Sequence, residues 1–517
     1  MRTIIILCII YFSFIQAESA AQIKKDSLKF NPYNIDLISK ELIPTIEMPP
    51  FDLQSELEKN IGSSHSFEKS FHFAKVFNVN IDLKKDARFI ESNKYNRWII
   101  GIKSKDAFSV GVTFTKYLVP PESELYIYNT NRTKLIGAFT NLNNSESEML
   151  PIFPIEGESI VIDYIEPKNV EFSGLLIIGI VCHDYVNIFQ DRDKDAWYGS
   201  SGQCEVDINC STGYSWQVEK YAVCRIYNGY TGVMCSGFLI NNVNNDGTPY
   251  VLTANHCIST SLHAGTSAFW FDYESPSCNG GDGIASDYIY SSTLRATWAY
   301  DLQTHRGSDF TLVELSNPPD EYYHPYYAGW NRENTAATGG ICIHHPKGDV
   351  KKIAVENNTL ISTYHLSENN DANADHWRVI DWDIGVTEVG SSGSPLFNED
   401  HKVVGQLHGG YADCNGQYDN NLSDWFGKIY SSWTGGGSSS SRLRDWLDSN
   451  NTTTELPGLR LVKDATINSD TPCFGDIVKF ENVSVQASSD IEVDFQNSFE
   501  ASGTFSAPSG TTLYIHP

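Results

Sequence analysis

Short runs rich in Val, Ile, Tyr, Phe and Thr recur along most of this 517-residue chain, and turn residues separate them. "WIIGIKS", "FSVGVTF", "ELYIYN", "SIVIDYI" and "GLLIIGIV" fill the first part, "YVLTANHC" and "DFTLVEL" the middle, and "IVKFENVSVQ" and "TTLYIHP" the end. Helical periodicity is scarce. Such runs, bounded by Asn, Gly and Asp, predict an all-β chain. The length is enough for about three domains of ordinary size.

The chain opens with "MRTIIILCIIYFSFIQAESAAQ". Arg2, the apolar stretch Ile4 to Ile15 and the small residues Ala17 to Ala21 read as a secretory signal over about 1–21, too short to span a bilayer. No later stretch is apolar enough to serve as a transmembrane segment. Ten cysteines follow the leader, at 182, 204, 210, 224, 235, 257, 278, 342, 414 and 473; eight lie between 204 and 414. In an exported chain that clustering predicts disulfides. No CxxC pair occurs, so no zinc or other metal site is expected. The formal net charge of -27, from 37 Lys+Arg and 64 Asp+Glu, argues against a nucleic-acid partner.

Three blocks follow the leader. Residues 22–198 read as a β-sandwich-like prosegment without a chemical motif. Residues 199–455 hold the cysteines and close with "GGGSSSSRLRDWLD". There Leu443, Trp446 and Leu447, at i, i+3 and i+4 with serine available as N-cap, predict a short helix packed on the preceding body. The boundary is placed between Asn450 and Pro457. Residues 459–517 read as a small β module, in the manner of a short β-solenoid.

Three segments of the middle block carry chemistry. "YVLTANHCIS" holds His256 in a turn after an apolar strand, "GSDFTLVEL" holds Asp309 at the head of another, and "EVGSSGSPLF" holds Ser392 between glycines. A serine hydroxyl needs an imidazole to take its proton, and the imidazole needs a carboxylate to fix its tautomer. The amides of Gly390 and Ser392 are the expected oxyanion-hole donors. The order His, Asp, Ser is that of chymotrypsin-like proteases and not of α/β-hydrolases.

"GQCEVDINC", "ICIHHPKGD", "GVTEVGSSGSP", "VVGQLHGG" and "SSWTGGGSSSSRLRDWLD" closely resemble the bacterial lysyl endopeptidases over about 199–450. The resemblance implies a chymotrypsin-like double β-barrel, cleavage of proteins or peptides after lysine, and no cofactor. It makes His256 the general base, Asp309 its orienting carboxylate and Ser392 the nucleophile. Asp424, in "NNLSDWFGK", matches the residue that selects lysine. Gly409, with Gly410, leaves room for an extended substrate. His408 matches a histidine near the triad that an aromatic residue covers, a role for which Tyr364 or His365 is available here. The resemblance also implies the disulfides Cys204–Cys414, Cys210–Cys278 and Cys235–Cys257. Cys224 and Cys342 remain, as a fourth bridge or as buried thiols, and Cys182 and Cys473 are unassigned.

The alternatives are a glutamate-selective or broader basic-residue endopeptidase, and a protease-like binding protein without catalysis. Ser391 replaces the aspartate that precedes the nucleophile in animal digestive enzymes. Activation is therefore expected not to use an ion pair with a freed amino terminus. The prosegment is expected to act as inhibitor or folding aid, with Lys194 the nearest lysine before the junction. Nothing in the sequence sets the oligomeric state.

Overall fold

The computed structural model describes residues 43–63, 67–189, 201–283 and 288–517. The leader, Lys194 and the junction at 198/199 lie outside these residues.

Residues 45–184, the expected prosegment, fold as two sheets. One holds Thr45–Glu47, Tyr95–Lys103, Ser159–Pro167, Glu124–Asn129 and Leu135–Phe139, with Arg88–Glu91 at its side. The other holds Ala74–Asp82, Leu175–Asp184, Ser109–Leu118 and Leu150–Glu156. Alternation along the strands turns Trp98, Ile100, Ile102, Val110, Val112, Phe114, Ile160 and Ile162 into one buried cluster between the sheets.

The protease region contains two largely antiparallel sheets. In the first, Ser267–Trp270, Val223–Asn228, Val233–Leu239, Tyr250–Ala254, Phe310–Leu315 and Ser292–Trp298 are neighbours in that order. In the second, Lys352–Glu356, Gly340–His344, Pro395–Phe397, Val403–Gly410, Asp424–Lys428 and His376–Val379 follow one another. A shared apolar cluster, with Phe238, Leu252 and Leu312 from the first and Ile343, Ile353, Phe397 and Val403 from the second, joins the two. The turns after Ala254, before Phe310 and before Pro395 therefore meet where the sheets face each other.

The helix expected near 443–447 is a single turn, Arg444–Leu447, with Leu443 and Leu447 fully buried. Its N-cap is Leu443, without a side-chain cap; the serines instead form their own capped turn at Ser439–Ser441. The tail coils by parallel pairing of Leu459–Lys463 with Phe474–Val485, of Phe474–Val485 with Asp490–Ser506, and of Asp490–Ser506 with Thr512–His516. Parallel neighbours linked without helices are the solenoid arrangement. The tail is not detached from the protease. Leu459 and Arg460 pair with Tyr327 and Tyr326, Lys402 Nζ lies 2.9 Å from Asp476, and Leu459, Leu461 and Ile477 enter a protease core cluster.

Prosegment and protease also share structure. Phe71–His72 pairs antiparallel with Met234 and Val233 at the edge of the first protease sheet. Phe73, Phe153, Ile180 and Cys182 pack with Tyr227, Met234 and Ala268 in one buried cluster.

Candidate active site

His256 sits in the turn that ends strand Tyr250–Ala254, and the disulfide Cys235–Cys257 ties that turn to strand Val233–Leu239. Its Nδ1 lies 2.7 Å from Asp309 Oδ2 and its Nε2 lies 2.7 Å from Ser392 Oγ. The His256 backbone N–H also donates to Asp309 Oδ1 at 3.2 Å. Asp309, just before Phe310–Leu315, is thus held by two bonds from one residue. Burial pushes the His256 imidazolium down, but the neighbouring Asp309 carboxylate more than restores it, and its pKa lies above the ordinary imidazole value. This arrangement can take a proton from Ser392 and stabilise the resulting imidazolium.

The nucleophile loop owes its shape to Gly393. Its φ is +84°, and a Cβ there would stand 2.1 Å from Thr253 Oγ1 and 2.4 Å from Ser236 O. Only glycine allows the loop to lie this close to the His256-bearing strand. Ser391 Oγ lies 2.8 Å from His344 Nδ1 and accepts the Glu388 N–H at 3.2 Å. Glu388 Oε1 is 2.6 Å from Lys347 Nζ, and its Oε2 accepts the Gly202 N–H at 2.7 Å.

The cleft already holds a peptide, the chain's own residues 67–70. Glu68 bridges antiparallel to Gly409. A Cβ on Gly409 would lie 1.7 Å from the Phe67 carbonyl oxygen, so the bare backbone is what admits this strand. The Lys69 carbonyl accepts the N–H groups of Gly390 at 2.5 Å and Ser392 at 3.3 Å. Those are the two amides the sequence singles out as oxyanion donors.

The Lys69 side chain runs into a buried pocket. Its ammonium donates to Asp424 Oδ1 at 2.6 Å, to the carbonyls of Thr387 and Ala412 at 2.9 Å each, and to Thr387 Oγ1 at 2.5 Å. Asp424, at the head of Asp424–Lys428, is fully buried; its second oxygen accepts Trp382 Nε1–H at 2.8 Å and Thr387 Oγ–H at 2.6 Å. A buried carboxylate without such partners would be costly. Thr387, Trp382 and the Ala412 carbonyl are pocket residues that sequence reasoning missed. Thr387 stands inside the quoted "GVTEVGSSGSP", whereas Trp382 and Ala412 carry no local signal. Lys69 was also missed; matching the chain's expected specificity against its own prosegment lysines would have made it a candidate.

His408 lies beneath the triad, its Nε2 3.8 Å from Asp309 Oδ2. Of the two residues expected to cover it, His365 stacks on it, with centroids 3.6 Å apart and planes 17° apart. His376 Nε2 contacts His408 Nδ1 at 2.9 Å, and Tyr300 meets the His408 ring edge-on. Burial, with the neighbouring imidazoles, pushes His408 and His376 well below the ordinary value, and His365 falls to about 3. These three rings are neutral near neutral pH.

The disulfides are Cys204–Cys414, Cys210–Cys278 and Cys235–Cys257. Cys182, Cys224, Cys342 and Cys473 are buried free thiols. Among the described residues, no helix is long and apolar enough to cross a membrane.

Two β units with a His–Asp–Ser arrangement at their meeting edge define the chymotrypsin-like serine protease fold. Residues 198–427 match the family described as "Lysyl endopeptidase, C-terminal domain". Lysyl endopeptidase of Pseudomonas aeruginosa is 30% identical over 294 residues, 54% of this chain and 61% of its own length. The middle of the chain is therefore similar to the lysyl endopeptidase family. Secreted RxLR effector protein 73 of Plasmopara viticola is 26% identical over 209 residues, 39% of this chain and 48% of that protein. The chain thus spans less than two thirds of either relative. Similar solved structures include a Glu endopeptidase in complex with MPD (15% identity, 45% of this chain and 92% of that one, TM-score 0.28). Deg5 is another (12% identity, 41% and 86%, TM-score 0.26). At such scores the likeness bears on neither substrate nor mechanism.

Proposed function

We propose that the chain is the precursor of a secreted serine endopeptidase that hydrolyses peptide bonds on the carboxyl side of lysine. Ser392 attacks the carbonyl carbon as His256 takes its proton, with Asp309 orienting the imidazole. The amides of Gly390 and Ser392 hold the oxyanion, each worth about 2.7–4 kcal/mol in the transition state. His256 then protonates the leaving amine, and water releases the acyl group by the reverse proton path. His408 supports Asp309 from below, and the site calls for no cofactor.

The observation that carries this reading is the lysine ammonium held by Asp424, Thr387 and Ala412 while the same residue's carbonyl accepts the Gly390 and Ser392 amides. Four acceptor atoms from three residues, gathered around one point, suit a compact ammonium. The glutamate-selective alternative needs a cationic pocket, and Asp424 has the opposite charge. The hydrogen-bonded triad argues against a silent binding protein. In the precursor, the prosegment acts as an inhibitor by filling the pocket; its removal, rather than rebuilding of the oxyanion hole, activates the enzyme. A leader and three disulfides accord with export.

Digestion of a mixed protein by the protease freed of its prosegment, with sequencing of the cut sites, tests the specificity. Lysine should precede nearly every cut. Cuts mainly after glutamate, or without preference, would overturn it. Labelling with a sulfonyl fluoride should mark Ser392, and an unlabelled serine would favour the silent reading.

A further inference from the structure

We propose that the Lys69–Ser70 bond is this protein's first substrate, cut in cis by its own Ser392; the inference rests on the lysine-directed reading above. Four features around this bond are those of a bound substrate. The Lys69 ammonium is in the pocket on Asp424, and the Lys69 carbonyl accepts both oxyanion-hole amides. Before the bond, Glu68 bridges to Gly409 in antiparallel register. After it, Phe71–His72 continues as a strand on Met234 and Val233, and Phe73 N–H donates to Gly232 O. Both sides of the cleft are therefore occupied by one uninterrupted extended segment. Ser392 Oγ is already hydrogen-bonded to His256.

The step balances as peptide hydrolysis. Ser392 Oγ bonds to the Lys69 carbonyl carbon as its proton passes to His256 Nε2. The bond to the Ser70 nitrogen breaks as His256 returns that proton to the amine. Water then displaces Ser392, leaving a carboxylate on Lys69 and an ammonium on Ser70.

The cut need not release either piece. Upstream, Thr45–Glu47 pairs with Gly101–Lys103 of the sandwich, and Glu56 bonds Lys75 across the site at 2.9 Å. Downstream, Phe73 is locked in the cluster shared with the protease. The Ser70 amine stays close to the acyl group, so resealing competes with hydrolysis and slows it, and once water has completed the cut the Lys69 carboxylate remains in the pocket. The cleaved precursor is then a nicked complex still closed to other substrates until the sandwich leaves.

The test uses the full chain. In denaturing mass analysis and amino-terminal sequencing, the wild type should yield a fragment beginning at Ser70. Under native conditions the same material should show a mass gain of one water with the pieces together, at a rate unchanged by dilution. Ser392→Ala should give no Ser70 terminus. Isotopically labelled Ser392→Ala mixed with wild type should stay intact at Lys69, because its own cleft shields the bond. Cutting of the labelled chain there, or a rate that falls with dilution, would overturn cleavage in cis. Absence of a Ser70 terminus while the same preparation hydrolyses a lysyl peptide amide after prosegment removal would overturn this inference and leave the lysine specificity standing. Absence of both would remove the two together.

Discussion

Two lysine–carboxylate pairs flank the nucleophile loop, and they differ in ownership. Lys347 and Glu388 both belong to the protease, with the lysine side chain 30% exposed and the carboxylate 1% exposed. Lys69 and Asp424 are 5% and 0% exposed, and the lysine comes from the prosegment. The first pair holds the loop in place: Glu388 also accepts Gly202 N–H, just after the junction. In the proposed function the second is exchangeable: a substrate lysine entering with an extended backbone would replace Lys69. Similar pairing thus serves as a fixed brace in one place and as a recognition site in the other.

Removing the recognition carboxylate should have the larger effect. Asp424→Asn leaves a buried ammonium without its counter-charge, a loss of about 3–5 kcal/mol. That corresponds to roughly a hundredfold to several thousandfold fall in kcat/KM on lysyl peptides, measured in the prosegment-free enzyme. A fall of less than tenfold would show that the two pairs are not so different.

Arginine should be the next discriminator. Its planar fork cannot meet the four acceptor atoms gathered around the Lys69 ammonium. Kinetics on matched peptides should show lysine preferred over arginine by on the order of 10–100-fold, the effect of about 1.4–2.8 kcal/mol. Equal rates would mean that Thr387 and Ala412 do not shape selection.

Glu388→Gln should weaken the brace instead. The expected cost is about 1–2 kcal/mol for a partly exposed pair of this kind, read as a fall in Tm of about 2–8 °C, with lysine preference unchanged. Loss of preference without loss of stability would reverse the assignment of the two pairs.

The smallest effect concerns pH. The kcat/KM of the freed enzyme requires neutral His256, so activity should rise with pH through its pKa. Burial lowers that pKa, Asp309 raises it by more, and the net is above the ordinary imidazole value; Glu68 adds to the rise in the precursor. Titration of the His256 ring by NMR should place its pKa lower in Glu68→Gln, Ser392→Ala precursor than in Ser392→Ala precursor. An unchanged pKa would show that Glu68 contributes nothing.

Much of the protease was legible because its parts are local. His256 follows and Asp309 precedes a strand whose apolar run is continuous in sequence, and the glycines around Ser392 announce a tight loop before Pro395–Phe397. Strand spacing suggested strands in the first block, and short alternating runs suggested them in the tail. The join between protease and tail was not, because Leu459, Leu461 and Ile477 look like any strand residues until the partner core is known. The cover on His408 was narrowed to Tyr364 or His365, and the ring stacking selects His365.

The sequence by itself determined a mostly β chain with the residue types of a serine protease and a carboxylate, Asp424, of the charge that the proposed lysine pocket needs. Those follow from short-range pattern and from the chemistry a hydroxyl nucleophile needs. Only the tertiary structure decided that Lys69, 355 residues away from Asp424, fills the pocket. Nothing in "SFEKSFHF" distinguishes that lysine from the others in the prosegment. Its role depends on the sandwich docking at the sheet edge beside Val233 and Met234 and carrying the segment through the cleft in register, a long-range arrangement that no local pattern encodes.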